Sequence, residues 1–376
     1  MKNSSLIAAL LLLLTGCGTT ATSHLPSVDS TALQASDASG YRRGVNLAGG
    51  EFYMNSQPDS IPGVYGTDYV YPAPKALDYY KSKGLTLIRL PFLWERTQRT
   101  LFGELDAAEL SRLDGVVAAI QSRGMHVVLE PHNRAHRYIR VPGATGITMA
   151  AFHPIGSPEV PTAAFSDFWK KMAAHYKGNQ AVYAVSLTDE PHDMQGLWPA
   201  AAQAGMDGVR AADPDRLVLV GGDGWSNAGS WDKANRDLDV KDPQGRFMYE
   251  ASIFFDADST GRYVSSKDAS GKTVSSYDTA GVGMDIGVTR AKVFTAWLKT
   301  RHARGFFGGY GIPADDARWL TVLDRFFTYI DAEGMGGACW AGGPWWPANY
   351  PLSLEPLNGQ DRPQMAILTK HLGSLR

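Results

Sequence analysis

Val182-Tyr183-Ala184-Val185-Ser186-Leu187-Thr188-Asp189-Glu190-Pro191-His192 sets the pattern of this chain. Six mostly apolar residues read as a strand buried on both faces. Two acids follow, and Pro191 stops the strand and turns the chain outward. Comparable runs precede it at residues 44–48, 85–90 and 125–130, and follow it at 216–220, 247–255, 305–308 and 336–340. Helical patterns separate them, for example at 106–123, 165–176, 288–302 and 315–332. Lys83-Gly84 and Arg123-Gly124 each put a basic last turn before a glycine C-cap. Eight strands separated by helices predict one α/β domain, a single (β/α)8 TIM barrel, over residues 41–376. The polar, Gly/Ser-rich residues 259–283 predict a long loop after strand six.

The N-terminus reads differently. Lys2 precedes an apolar run over residues 6–14, too short to span a bilayer but suited to a signal peptide. Leu14-Thr15-Gly16-Cys17 resembles a bacterial lipobox, which implies removal of residues 1–16 and lipidation of Cys17. Ordinary signal cleavage, with Cys17 an incidental thiol, is the plainer alternative. Residues 17–40, rich in Ser, Thr and Ala, read as a flexible tether. Gly18, not Asp, follows the Cys, which points to the outer membrane. The expected location is thus that of an exported lipoprotein, held to a membrane through Cys17. Besides Cys17 the chain has one cysteine, Cys339, so a lipidated form has no internal disulfide. The fold must then be stable through its core alone, and 44 % hydrophobic residues supply one. With 36 basic and 38 acidic residues, no basic field favours nucleic acid.

In a barrel of this kind, chemistry sits at the C-terminal ends of the strands. Glu190, desolvated at that mouth, would have a raised pKa and serve as general acid. A surface turn that merely carries acids is the alternative. Arg89 ends strand two and needs an acidic partner. His132 ends strand three, where it can orient a carboxylate or contact substrate. Asp189 stands beside Glu190. Trp340, Trp345 and Trp346 fall within seven residues that also contain Gly and Pro. Flat indole faces with an N–H handle suit sugar rings. Trp225 and Trp231, just after a strand, are further candidates, although some of these indoles are expected to be core anchors. No metal site is expected: His132 to His136 lacks the Glu of a zincin helix. No phosphate loop is present either, because Gly221-Gly222-Asp223-Gly224 lacks the required Lys. The chain is therefore expected to need no cofactor.

Residues 43–47, 88–91, 130–133, 189–192 and 249–250, with the aromatic segment 338–346 and Ser353-Leu354-Glu355-Pro356, resemble glycoside hydrolase family 5 in its cellulase branch. The resemblance implies a retaining mechanism with two Glu residues. Glu190 matches the acid/base, and Arg89, His132 and Trp340 match supporting residues. The departures are specific. The family's strand-seven motif Gly-Glu-Phe-Gly reads Gly308-Gly309-Tyr310-Gly311 here, so Gly309 replaces the nucleophile. Asp189 replaces an Asn, and Ser252 and Phe254 replace a His and a Tyr. A double displacement has no route without that carboxylate.

Three readings follow for a monomer acting on polysaccharide. The preferred one is a glycosidase cleaving a β-glucan-type or acidic exopolysaccharide backbone by a non-standard mechanism. Glu190 is its acid, with Asp189, Asp256 and Asp258 the candidate bases for inversion. The second is a lyase on a uronate polymer, drawing on Arg134 or Arg137, His132, Tyr310 and Glu190. The dense cationic stretch 132–140 motivates it. The third is a carbohydrate-binding pseudoenzyme that keeps the Trp cleft.

Overall fold

The computed structural model describes residues 43–53, 61–142 and 148–372. The expected signal peptide and tether, with Cys17, lie outside the described residues. Eight parallel strands close into a barrel: β1 (Arg43–Leu47), β2 (Leu87–Phe92), β3 (His126–Pro131), β4 (Val182–Ser186), β5 (Leu217–Gly221), β6 (Phe247–Phe254), β7 (Gly305–Gly311) and β8 (Gly336–Gly342). Each falls on a run the sequence pattern marks. The main outer helices are α1 (Pro74–Ser82), α2 (Ala107–Gln121), α3 (Thr162–His175), α4 (Trp198–Ala212), α5 (Ile286–Thr300) and α6 (Arg318–Ala332). No helix among the described residues is long and apolar enough to cross a membrane.

The helices form because their apolar residues recur at helical spacing. In α6, Trp319, Val322, Leu323, Phe326, Phe327 and Ile330 make one buried stripe against the strands. Phe326 meets Phe307 of β7 with ring centroids 5.2 Å apart. Gly84 and Gly124 end α1 and α2 at φ +82° and +64°, where a Cβ would be strained. Inside the barrel, Leu87, Val128, Ala184, Leu217, Leu219, Phe306 and Ala338 fill the half nearer the strand starts. The polar residues are thereby left to the opposite end.

Two connections differ from expectation. Residues after β3 do not form an open basic loop: His136–Pro142 pairs antiparallel with Thr148–Pro154. The stretch 259–283 carries a short ladder, Ser266–Lys267 with Thr273–Val274, and a helical turn at Ser276–Asp278. Between β5 and β6 the chain makes a turn at Ala228–Ser230 and a four-residue helix, Trp231–Ala234.

Candidate active site

Arg89 is the hub of the strand-end cluster. Its Nη1 donates to Glu130 Oε2 at 2.9 Å and to Asn46 Oδ1 at 3.0 Å. Its Nη2 donates to Asp189 Oδ1 at 2.9 Å, and its Nε to Glu250 Oε1 at 3.0 Å. One guanidinium thus holds three carboxylates from β3, β6 and the end of β4, all buried. Asn46 extends the tie by donating to the carbonyls of Gly308 and Ala338, on β7 and β8. Removing the single cation leaves buried carboxylates uncompensated. Arg89→Met is therefore expected to cost about 3–5 kcal/mol of folding stability, read from urea unfolding. A loss below about 1 kcal/mol would show that these carboxylates are satisfied without it.

His132 bridges two of the same acids. Its Nδ1 lies 3.1 Å from Glu130 Oε2 and its Nε2 3.3 Å from Asp189 Oδ2. Burial pushes its pKa below the ordinary value despite the carboxylates. Burial opposes the charged form of Asp189 too, but His132, Arg89 and Arg134 hold its pKa below the usual range. Glu130, His132 and Asp189 are close enough to offer a metal three ligand atoms. However, both His132 nitrogens are already engaged and Arg89 supplies the positive charge. The donor set is an ion-pair network and carries no metal reading.

Glu190 stands where the strand-stopping Pro191 puts it. Its φ is +32°, a costly conformation for a residue with a Cβ. Burial, followed by the Asp189 charge, pushes its pKa up to about 7, against the Ser252 hydrogen bond and the Arg134 and His132 charges. A carboxyl group titrating near neutrality at a cleft is poised to give up a proton.

The cleft encloses about 140 Å³ and is lined by Arg89, His132, Arg134, Asp189, Glu190, Ser252, Phe254, Gly309 and Trp340, among others. Gly308 and Gly309 differ sharply there. A Cβ on Gly308 would collide with the Glu250 carboxyl group, so that position must be glycine. A Cβ on Gly309 meets only Ser252, with Oγ at 3.3 Å and Cβ at 3.9 Å. The pairing of β7 with β6 shifts register between Phe307 and Gly309, and Gly309 lands opposite Ser252. That bulge turns two consecutive glycines toward the interior.

The aromatic wall is built from the end of β8. Trp340 stacks on His132 with centroids 5.5 Å apart, and its Nε1 donates to Tyr350 Oη at 2.8 Å. Trp346 stacks on Tyr350 at 4.0 Å and meets Trp340 edge-on at 6.0 Å. Trp345 is partly exposed and is not in the cleft lining. Trp225 is 48 % exposed and packs on His192 at 3.6 Å, with Arg134 5.9 Å from its ring centre. Two groups in this region escaped the sequence reading. Tyr350 lines the cleft. Glu51, after β1, is buried with Oε2 on the Gly49 N–H at 2.7 Å and Oε1 without a hydrogen-bond partner among the described residues. Burial pushes its pKa up to about 7, and the His132 charge opposes the shift. Gly49-Gly50 before it was the available signal.

Three expected site residues lie elsewhere. Trp231 is fully buried against Phe294 and Trp297 of α5, where it fills the β5–β6 connection. Tyr310 is fully buried against Phe326 and Phe327 of α6, on the outer side of β7. Arg137 is buried, donates to the Gln98 carbonyl and lies 4.5 Å from the Trp94 ring centre. The candidate bases are committed as well. Asp256 accepts from the Gly261 and Tyr263 N–H groups and from Thr260 Oγ1, and Asp258 accepts from Thr260. Cys339 is buried and unpaired.

A barrel mouth with an elevated carboxylic acid, an Arg-held acid cluster and a wall of indoles defines a glycan-cleaving enzyme. A family model for cellulase (glycosyl hydrolase family 5) matches residues 43–346. The chain belongs to that family. Endo-beta-1,4-glucanase B of Aspergillus niger is 31 % identical over 349 residues, 89 % of this chain and 93 % of its own. The structure of Pseudomonas stutzeri endoglucanase Cel5A in complex with cellobiose shares 36 % identity at a TM-score of 0.77, covering 88 % of this chain and 92 % of that one. XacCel5A in complex with cellopentaose shares 31 % identity at a TM-score of 0.75, covering 88 % and 99 %. The protein is thus an endoglucanase-like member of this glycoside hydrolase family.

Proposed function

We propose that the chain hydrolyses the backbone of a β-1,4-glucan-type or acidic exopolysaccharide by direct displacement, with Glu190 as general acid and no enzyme-borne glycosyl nucleophile. The observation that carries this is Glu190, with a pKa near 7, in one cleft with Gly309, which offers no side chain. In the resemblance to family 5, Gly309 occupies the nucleophile's place. The relatives named for endo-β-1,4-glucanase activity support a β-glucan backbone. The Leu14-Thr15-Gly16-Cys17 stretch supports an exported lipoprotein and Gly18 after it supports the outer membrane, where the protein is proposed to work as a monomer near the polymer it cuts.

The acidic option rests on Arg134. Its Nε is buried with no hydrogen-bond partner among the described residues, and it lines the cleft at a left-handed turn of φ +52°. A cation there suits a uronate or other anionic substituent. At a pH well below 7, where Glu190 stays protonated with or without the Arg134 charge, Arg134→Gln is expected to lower kcat/KM for a uronate-bearing polymer about tenfold while changing neutral cello-oligosaccharides less than twofold. Raising salt should weaken the first activity in the unsubstituted enzyme and not the second. Equal effects on both polymers would remove the acidic option. Elimination is not favoured, because Tyr310 and Arg137 stand outside the cleft.

The test is mass spectrometry of products from neutral β-glucans and uronate-bearing polymers. Fragments heavier by one water per cut support hydrolysis. Unsaturated fragments would establish a lyase. Binding without fragments from any polymer would make the cleft a binding site alone.

A further inference from the structure

We infer that Gly309 and Ser252 form a seat for an external nucleophile, water in the natural reaction and a small anion when one is supplied, and that the Ser252 hydroxyl passes the water's proton to Glu190. The inference rests on the hydrolytic reading above and gives it a base. Among the described residues, its chain neighbours Gly308 and Tyr310 apart, only two atoms, both of Ser252, come within 4 Å of a Cβ on Gly309. The space beyond that Cα opens into the cleft that holds Glu190. Register sets Ser252 directly beside Gly309, and the backbone of Ser252 is fixed by its N–H on the Ser226 carbonyl at 2.8 Å. The same hydroxyl lines the cleft with Glu190 and favours its charged form. Ser252 Oγ therefore borders the seat and faces the same cleft as the acid. A hydroxyl has one proton to give and two lone pairs to receive with, as a relay requires.

Among the carboxylates lining or flanking the cleft none serves better, and Glu51 is not in its lining. Asp189 spends its oxygens on Arg89 and His132, and Asp256 spends its own on backbone N–H groups and Thr260. The step balances with water as the sole co-reactant. Glu190 gives its proton to the glycosidic oxygen as the C1–O bond breaks, and that bond pair leaves with the aglycone. A water lone pair on the Gly309 side forms the new C1–O bond from the opposite face. One water proton moves to Ser252 Oγ, and the Ser252 proton moves to the Glu190 carboxylate. Glu190 ends protonated, Ser252 ends neutral, and the anomeric centre is inverted.

The test uses the full chain with 2,4-dinitrophenyl β-cellobioside and cellopentaose. By proton NMR, the first product is expected to be the α-anomer. Sodium azide is expected to divert the activated substrate to α-cellobiosyl azide in the unsubstituted enzyme, a result that needs no variant to fold. Ser252→Ala should lower kcat on cellopentaose about 10²-fold, the scale of a lost proton-transfer group, while azide still gives the α-azide. Gly309→Val, checked for an unchanged melting temperature, should lose both products. Inverted product with no azide adduct, or one indifferent to both substitutions, would overturn the seat and leave the hydrolytic reading standing. A β-anomer as first product would overturn the seat and show retention. No turnover of either substrate, with or without azide, would overturn both readings.

Discussion

Glu190→Gln is expected to lower kcat/KM on cellopentaose or polymer by about 10³-fold, within the range a positioned general acid supplies. The loss should be small for azide attack on 2,4-dinitrophenyl β-cellobioside, a step that needs neither a proton on the leaving group nor a base on the nucleophile. That split separates an acid from a residue that only holds the fold. The pH dependence has a definite sign. The acid works protonated, and its pKa lies near 7 through burial and then the Asp189 charge. Activity on cellopentaose should therefore fall as pH rises through about 7, and this limb should vanish in Glu190→Gln. Asp189→Asn removes the second cause, so it should move the limb toward acid. Asp189 also anchors Arg89 and touches His132. Its variant is therefore judged by the position of the limb, not by its rate. A limb that stays near 7 in Glu190→Gln would assign the titration to another group. Glu51, raised to the same value, is then the next to replace.

The barrel was legible because its strands are apolar on both faces and its helices carry regular stripes. The runs at 182–188 and 216–220 need no partner to be read as strands. The site was legible where a breaker or an orphan charge marked it. Pro191 marked Glu190, and an Arg inside Ile88-Arg89-Leu90 had to find acids. What failed was parity. Side chains alternate along a strand, so Phe306 and Gly308 facing inward would send Tyr310 inward too. The bulge at β7 resets the count, and Gly309 takes the inward place while Tyr310 goes to the helices. Gly308-Gly309 was the available hint, since glycine within a strand often marks a bulge or a close approach. Arg137 failed for another reason. A cluster of cations in sequence says nothing about which of them a hairpin will bury, and the His136–Pro142 strand puts Arg137 beneath Trp94. Trp231 shows the same limit: an indole after a strand serves equally as a sugar platform or as filling for a connection with little helix.

Gly309→Glu is expected to raise kcat/KM on cellopentaose by at least about 10²-fold, the lower end of what a placed catalytic carboxyl group supplies, and to switch the first product from the α- to the β-anomer. Three features favour it. The backbone at 309 has no positive φ, so an L side chain fits without strain. The new Cβ meets only Ser252, whose hydroxyl can turn away. The acid/base carboxyl group, its Arg89 support and the Trp340 wall are already in place. Retention needs the two carboxyl groups about 5–5.5 Å apart, which a Glu reaching into the same cleft as Glu190 can meet. The substitution also adds a negative charge near Glu190, whose pKa is already raised by Asp189. The alkaline limb should therefore move to higher pH than in the parent, as a like charge favours the protonated form. Asp189→Asn in the same chain should bring the limb back down. A β-product with a shifted limb would mean that the loss at Gly309 alone separates this protein from a retaining glycosidase. An enzyme that gains nothing, while folding normally, would mean that Ser252 and Phe254 have reshaped the sugar's position as well. The double change Gly309→Glu with Ser252→His would then be the variant to make, because it returns both neighbours of the reacting carbon together.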